Sequence, residues 1–353
     1  MGKISQKEIE EYLGFKGEDF DFLVETAGKV RDKEVGNKVY LRGIVEITNK
    51  CIKNCYYCGI RKGNIGISRY FLEEKDAIDC VRFAVSQNLT SIVLQGGELK
   101  DKDFVFYVEK LVKRIKEINP SIAITLSFGE QDFETYKRWY DAGAERYLLR
   151  IETSDKKLYE KWHPESHSFE QRMKCLEMIK KVGYQTGTGV LIGAPMQTIS
   201  HLASDIVFFK EFDIDMLGMG PYVIHPQTPF GKIYGDWFEK NRKNIFDLAI
   251  KMIAAARIVL KDVNIASTTA LDSLNPEGRV YGLKAGANVI MPDITPMAYK
   301  RNYLLYKDKA GLYSSSAESL FSVLEIVKKS GLVASLGEVG TSPHFLKKRK
   351  NRF

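Results

Sequence analysis

The sequence predicts an α/β fold, a complete (β/α)8 barrel preceded by a helical extension. Three observations point there. Eight runs rich in β-branched and apolar residues alternate with stretches of helical period. No linker-like segment divides them, so the alternation reads as one closed unit rather than two domains. Polar residues gather at the C-terminal ends of the runs, the end at which barrels of this kind bind ligands.

In chain order, residues 1–36 are expected to form the extension, because "MGKISQKEIEEYLGF" is charged and amphipathic. The strand candidates are 40–48, 91–97, 122–129, 146–153, 186–193, 216–223, 264–269 and 287–292. Helical runs such as 73–87 and 103–118 lie between them. Glycine follows several helices directly, as in "WYDAGAERY" and "IKKVGYQTG", where a left-handed cap suits it. The barrel is expected over 37–310, and 311–353 to be a C-terminal helix and basic tail packed on it. An open doubly wound sheet is the competing arrangement, but the strand count favours closure.

The chain has 353 residues, 44% hydrophobic and 28% charged, with a net charge of +8. Composition is that of a globular protein with a sizeable core. The positive balance arises largely from Lys-rich helices and the tail "LKKRKNRF", a solvated face. Nucleic acid is not an expected partner, since the barrel uses nearly all of the chain. The N-terminus lacks the apolar core of a signal peptide, and no apolar run is long enough to span a bilayer, so a cytoplasmic location is expected. Five cysteines, an odd number, argue for metal or catalysis rather than a disulfide framework.

The strongest motif is C-x3-C-x2-C, Cys51, Cys55 and Cys58, directly after the first strand. Structural zinc would require a fourth ligand close by, and the next cysteine, Cys80, lies mid-helix. Three thiolates can instead anchor an iron–sulfur cube with one iron left for a small molecule. Cys80 and Cys175 sit at helical apolar spacing and read as core. His163 and His167 read as ordinary loop residues, while His225 stands on the functional face.

With Tyr57 preceding Cys58, the motif resembles the radical S-adenosylmethionine (SAM) enzymes. The stretches "VEITNKCIKNCYYCGIRKGN", "SIVLQGGE", "RYLLRIETSD" and "KAGANVIMPDITP" are similar to the biotin-synthase-like branch, above all to the hydrogenase maturases of the HydE and HmdB families. The resemblance implies a [4Fe–4S] cluster on Cys51, Cys55 and Cys58, with SAM chelating the fourth iron and being cleaved to a 5′-deoxyadenosyl radical. It places Tyr57, Gln95, Gly96, Gly97, Glu98, Ser127, Glu152 and Arg172 around SAM. Arg150, Thr268, Thr269, Tyr299 and Tyr303 are expected to face the substrate, a small organic or organometallic precursor. A reduced ferredoxin- or flavodoxin-type donor is the implied partner.

The chain also departs from HydE. The fourth strand reads Arg150-Ile151-Glu152-Thr153 where HydE has a histidine second, and no cysteines follow in the C-terminal region to hold an accessory cluster. These differences favour HmdB, which acts on the guanylylpyridinol iron cofactor, with HydE as the alternative. An iron–sulfur carrier without turnover is the competing reading from another class.

Overall fold

In the computed structural model, which describes residues 4–351, the first strand is broken into β1 (Lys38–Leu41) and β2 (Gly43–Thr48). There follow β3 (Ser91–Gly96), β4 (Ala123–Ser127), β5 (Arg146–Leu148) and β6 (Gln185–Thr188), the last continued upward by β7 (Leu191–Ile192). Next come β8 (Met216–Leu217) with its continuation β9 (Gly220–Pro221), β10 (Asn264–Ser267), β11 (Val289–Ile290) and a late β12 (Val333–Ser335). All the ladders between these strands are parallel, in the order β2-β3-β4-β5-β6-β8-β10-β11-β1. The circle closes because β1 pairs with β11 while Ile44 of β2 accepts from Ile294 at 3.0 Å and donates to the Pro292 carbonyl at 2.9 Å. Eight strand positions thus form one barrel, as the alternation of runs predicts.

Parallel strands need crossover segments, and helices such as Glu74–Ser86, Lys102–Ile118 and Phe169–Val182 supply them on the outside. Their apolar faces, for example Phe104, Val108, Leu111 and Ile115, are buried against the strands. Gly143 and Gly183 take φ of 117° and 110° just after their helices, the left-handed ending that a β-carbon would strain. The helix Gln6–Gly14 starts in a capping box between Ser5 and Glu8 and packs against the helix Ile199–Glu211. The next helix, Gly17–Glu34, packs on the long helix Pro229–Leu260.

The base of the barrel is closed by the C-terminal segment, a feature the sequence pattern did not reveal. β12 pairs with β1, and the following turn brings the Gly340 carbonyl to Arg42 Nη2 at 3.2 Å and Asn264 Nδ2 at 2.8 Å. Arg146 Nη2 donates to the Val339 carbonyl at 2.9 Å. The terminal helix Pro343–Lys350 then docks through its charges. His344 bridges Asp213 and Asp262, and Lys348 Nζ stands 2.7 Å from the buried carboxylate of Asp215. Part of the tail charge expected to be solvated is therefore paired. No helix among the described residues is long and apolar enough to cross a membrane.

Candidate functional site

The loop after β2 has almost no regular secondary structure, so its backbone groups must find partners elsewhere. Two arginines supply them. Arg61 Nε donates to the Cys55 carbonyl at 3.1 Å, and Arg69 reaches the carbonyls of Asn49, Ile60, Arg61 and Asn64. The end of β3 holds the loop from the other side. At Gly97 a β-carbon would stand 2.1 Å from the Lys50 carbonyl oxygen, so only glycine permits the approach. Just beyond it, the Glu98 amide donates to Cys51 Sγ at 3.3 Å.

Burial raises all three thiols, Cys55 well above its ordinary value and Cys58 to about 12, and for these two the neighbouring cysteines add to the effect. Three soft sulfur donors on one loop suit the iron of a cluster, whose charge would hold them as thiolates. The donor set fits that group.

Around the cysteines the strand ends carry a buried charge network. Glu98 Oε2 accepts from the Glu130 amide at 2.9 Å, and its Oε1 has Lys100 and Lys53 at 3.4 and 3.6 Å. Glu130 accepts from Lys53 Nζ and from Arg172 Nε, each at 2.7 Å. Burial would raise the Glu130 carboxyl, but Arg172 and Lys53 overcome it and push it down to about 2. Burial likewise opposes the Arg172 charge, and Tyr159, Glu130 and Glu98 outweigh it, holding the guanidinium well above its ordinary range. Arg172 Nη1 also donates to the Arg150 carbonyl at 2.6 Å, which joins this network to the end of β5.

That end is strained. Glu152 has φ of 69°, a left-handed conformation uncommon for a residue with a side chain. It is held there by bonds between its own amide and the Gly189 carbonyl and between the Leu191 amide and its carbonyl, both 3.0 Å. Arg150 Nη2 lies 2.9 Å from Glu152 Oε2, yet Arg150 Nε and Nη2, Glu152 Oε2 and Thr268 Oγ1 are buried without hydrogen-bond partners. Buried polar atoms are ordinarily satisfied, and these four are suited to a polar ligand.

Gln95 and Ser127 are register partners on β3 and β4, and Gln95 Nε2 donates to the Tyr303 hydroxyl at 3.2 Å. Gly96 packs against Thr48 and Phe128 at the same strand end. Thr268 and Thr269 follow β10 and open a short 3-10 turn. Tyr57 donates its hydroxyl to His163 Nε2 at 3.1 Å, with its ring edge-on to Trp162 and His163. Tyr299 stands apart from this group. Its hydroxyl donates to Asp76 at 2.8 Å and its ring packs on Tyr70, so the residue joins the loop to the helix Glu74–Ser86.

Some participants are absent from the sequence reading, and others are placed differently by the structure. Glu130 follows the β4 end in "LSFGE", a second Gly-Glu pair that echoes "GGE" and was the available signal. His163 and His167 are buried beside Tyr57 and Cys55 and are not surface residues. Lys309 reaches from the last loop to pair with Glu46 inside the barrel, with Asp293 at 3.5 Å. Nothing in its local sequence distinguishes it. His225 is buried at the mouth, where a β-carbon on Gly59 would meet its ring at 2.4 Å. Cys80 and Cys175 are buried, as core residues should be.

Comparison with known proteins bears on the same residues. The Radical SAM superfamily profile matches residues 45–209, which include the cysteine loop and Arg172. The [FeFe] hydrogenase maturase subunit HydE of Thermotoga maritima is 39% identical over 331 residues, covering 93% of this chain and 91% of that protein. The 3-methylornithine synthase of Methanosarcina acetivorans is 26% identical over 310 residues, 85% and 83% of the two chains. Among solved structures, methylornithine synthase (PylB) superposes with a TM-score of 0.77 over 95% of both chains at 20% identity. HydG from Carboxydothermus hydrogenoformans gives 0.78 over 97% of this chain and 78% of its own at 20% identity, a likeness of fold.

These findings favour the HydE alternative over the HmdB reading drawn from Ile151 and from the lack of C-terminal cysteines. The structure explains why that residue misleads: Ile151 is fully buried in the main hydrophobic core, so its identity reports on packing there. The family's cofactors are a [4Fe–4S] cluster and SAM, and its members are enzymes that act on small molecules with electrons from a donor. The chain belongs to the radical SAM superfamily, in its HydE-like branch.

Proposed function

We propose that this chain is a HydE-type maturase that acts on a small organic or organometallic precursor during assembly of a hydrogenase metal cofactor. The observation that carries this is the 39% identity to HydE across nearly the whole chain, including the cysteine loop and the ends of the strands. When bound, the cluster and SAM supply reductive cleavage of the sulfonium to a 5′-deoxyadenosyl radical.

The residues have separable tasks. Cys51, Cys55 and Cys58 would hold the cluster by three corners. The Glu98–Lys53–Glu130–Arg172 network would fix the charges that receive the amino and carboxylate groups of SAM, with Gly96 and Gly97 admitting the backbone close to it. Tyr57, anchored through His163, would line the nucleoside side, with Gln95, Ser127 and Glu152 nearby. Arg150, Thr268, Thr269 and Tyr303 would bind and orient the substrate. The loop that carries Tyr303 closes over the chamber, its Leu305 carbonyl accepting from the Gly59 amide at 2.8 Å, and this cover excludes water from a reactive radical. Outside, the cysteine loop presents exposed Lys50 and Lys62 beside Ile52 and Ile65, a basic and apolar face that suits an acidic ferredoxin or flavodoxin.

The test is addition of the reconstituted chain to an [FeFe]-hydrogenase maturation mixture lacking HydE. Restored hydrogenase activity is expected. If activity does not return, and the chain instead supports formation of the guanylylpyridinol iron cofactor, the HmdB-type reading replaces this one.

A further inference from the structure

Cys55, His163 and His167 present ligand atoms that all lie within 4.8 Å of one another, a spread suited to a single metal ion. The hydrogen bonds around the two rings argue against that use. His163 Nδ1 faces the Tyr159 carbonyl at 2.8 Å, which can only accept, so this nitrogen carries the proton. The His163 Nε2 lone pair is then taken by the Tyr57 hydroxyl. His167 Nε2 receives the Asn54 amide at 3.1 Å, and an amide can only donate. A neutral ring with Nε2 accepting must carry its proton on Nδ1, and that nitrogen faces Cys55 Sγ at 3.9 Å. Both lone pairs are occupied, and what points at the sulfur is an N–H.

We propose that His167 is a positioning residue whose Nδ1–H donates to the Cys55 thiolate and raises the reduction potential of the cluster. The inference rests on the reading that Cys51, Cys55 and Cys58 ligate that cluster. A donor to a coordinating sulfur withdraws charge from it, so the added electron is better accommodated in the reduced state. The geometry is built rather than incidental. His167 is buried at 5% exposure, its amide closes a turn onto the Pro164 carbonyl at 2.9 Å, and Ser168 directly after it caps the helix Phe169–Val182. That helix also carries Arg172, so one turn sets both the sulfur donor and the SAM-side guanidinium. The Asn54 amide, one residue from Cys55, fixes the tautomer.

The experiment is an EPR-monitored redox titration of the reconstituted wild type, H167F and H167N, with iron counted in each. In H167F, which has no donor, the ratio of reduced to oxidised cluster at a fixed potential should fall about tenfold, about 59 mV for one electron. H167N, whose amide can place an N–H near the same point, should recover most of the loss. An unchanged potential in H167F with full iron overturns the inference and leaves the cluster reading standing. A wild type that binds no cluster overturns both. Should H167F fail to load, the wild type labelled with 15N-histidine decides. A weak 15N coupling to the reduced cluster is expected, whereas no coupling, or a strong one from nitrogen bound to iron, refutes the donor role.

Discussion

Arg172 Nε and Glu130 Oε1 meet at 2.7 Å in the interior, and the same carboxylate takes Lys53 through its other oxygen. One acid therefore balances two buried or nearly buried cations between the cysteine loop and the helix Phe169–Val182. Glu130→Gln keeps the shape and removes the charge, leaving Arg172 and Lys53 only Glu98 as a more distant counter-charge. Unfolding by urea should show a loss of about 3 kcal/mol. Calorimetry should show at least tenfold weaker SAM binding, because Arg172 loses the partner that orients it. A variant as stable and as tight as the wild type would remove Glu130 from the site.

Arg150 and Thr268 carry buried polar atoms without hydrogen-bond partners, and the proposed function assigns them to the substrate. Arg150→Met should lower product formation about 100-fold, the scale for losing a preorganised charged donor. Release of 5′-deoxyadenosine without substrate should change by less than about threefold. A parallel loss of both would place Arg150 on SAM and not on the substrate.

Lys309 lies between Glu46 and Asp293 within the barrel, and although burial opposes its charge, the two acids raise it above its ordinary value. Lys309→Met leaves two buried carboxylates facing each other and should cost about 3 to 5 kcal/mol in urea unfolding. Adding Glu46→Gln to that variant should return part of the loss, since it removes the repulsion between the two acids and leaves only Asp293 without its lysine. Equal stability of Lys309→Met and wild type would contradict this account of the pair.

The closure at the base of the barrel depends on pH. Hydrogen bonds to Asp262 and Asp213 raise His344 above its ordinary value, despite partial burial, so its contribution is complete below about 6.5 and fades as pH rises through the elevated value. Burial would raise Asp262, but His344 and Lys347 push it down to about 2, so its contribution holds above about 3.8 and fades as pH falls toward 2. Amide exchange in the helix Pro343–Lys350, corrected for intrinsic rates, should be slowest between these limits and quicken toward pH 9. In His344→Ala the quickening on the alkaline side should vanish.

Much of this was legible in the sequence because it is local. Each run such as "SIVLQGG" carries its own strand signal, and Cys51, Cys55 and Cys58 lie within one loop. What escaped was long-range. β12 spans three residues and pairs with β1, nearly three hundred positions earlier, so no local pattern marks it. His167 looks like a loop histidine until folding places it on Cys55. Ile151 shows the converse error, a nearby difference given functional weight that its burial removes.

The most direct measurement is anaerobic incubation of the reconstituted, reduced protein with SAM, followed by quantitation of methionine and 5′-deoxyadenosine. Equal amounts of both should appear with the wild type and none with Cys55→Ala. Intact SAM after incubation with a fully loaded, reduced cluster would contradict the account.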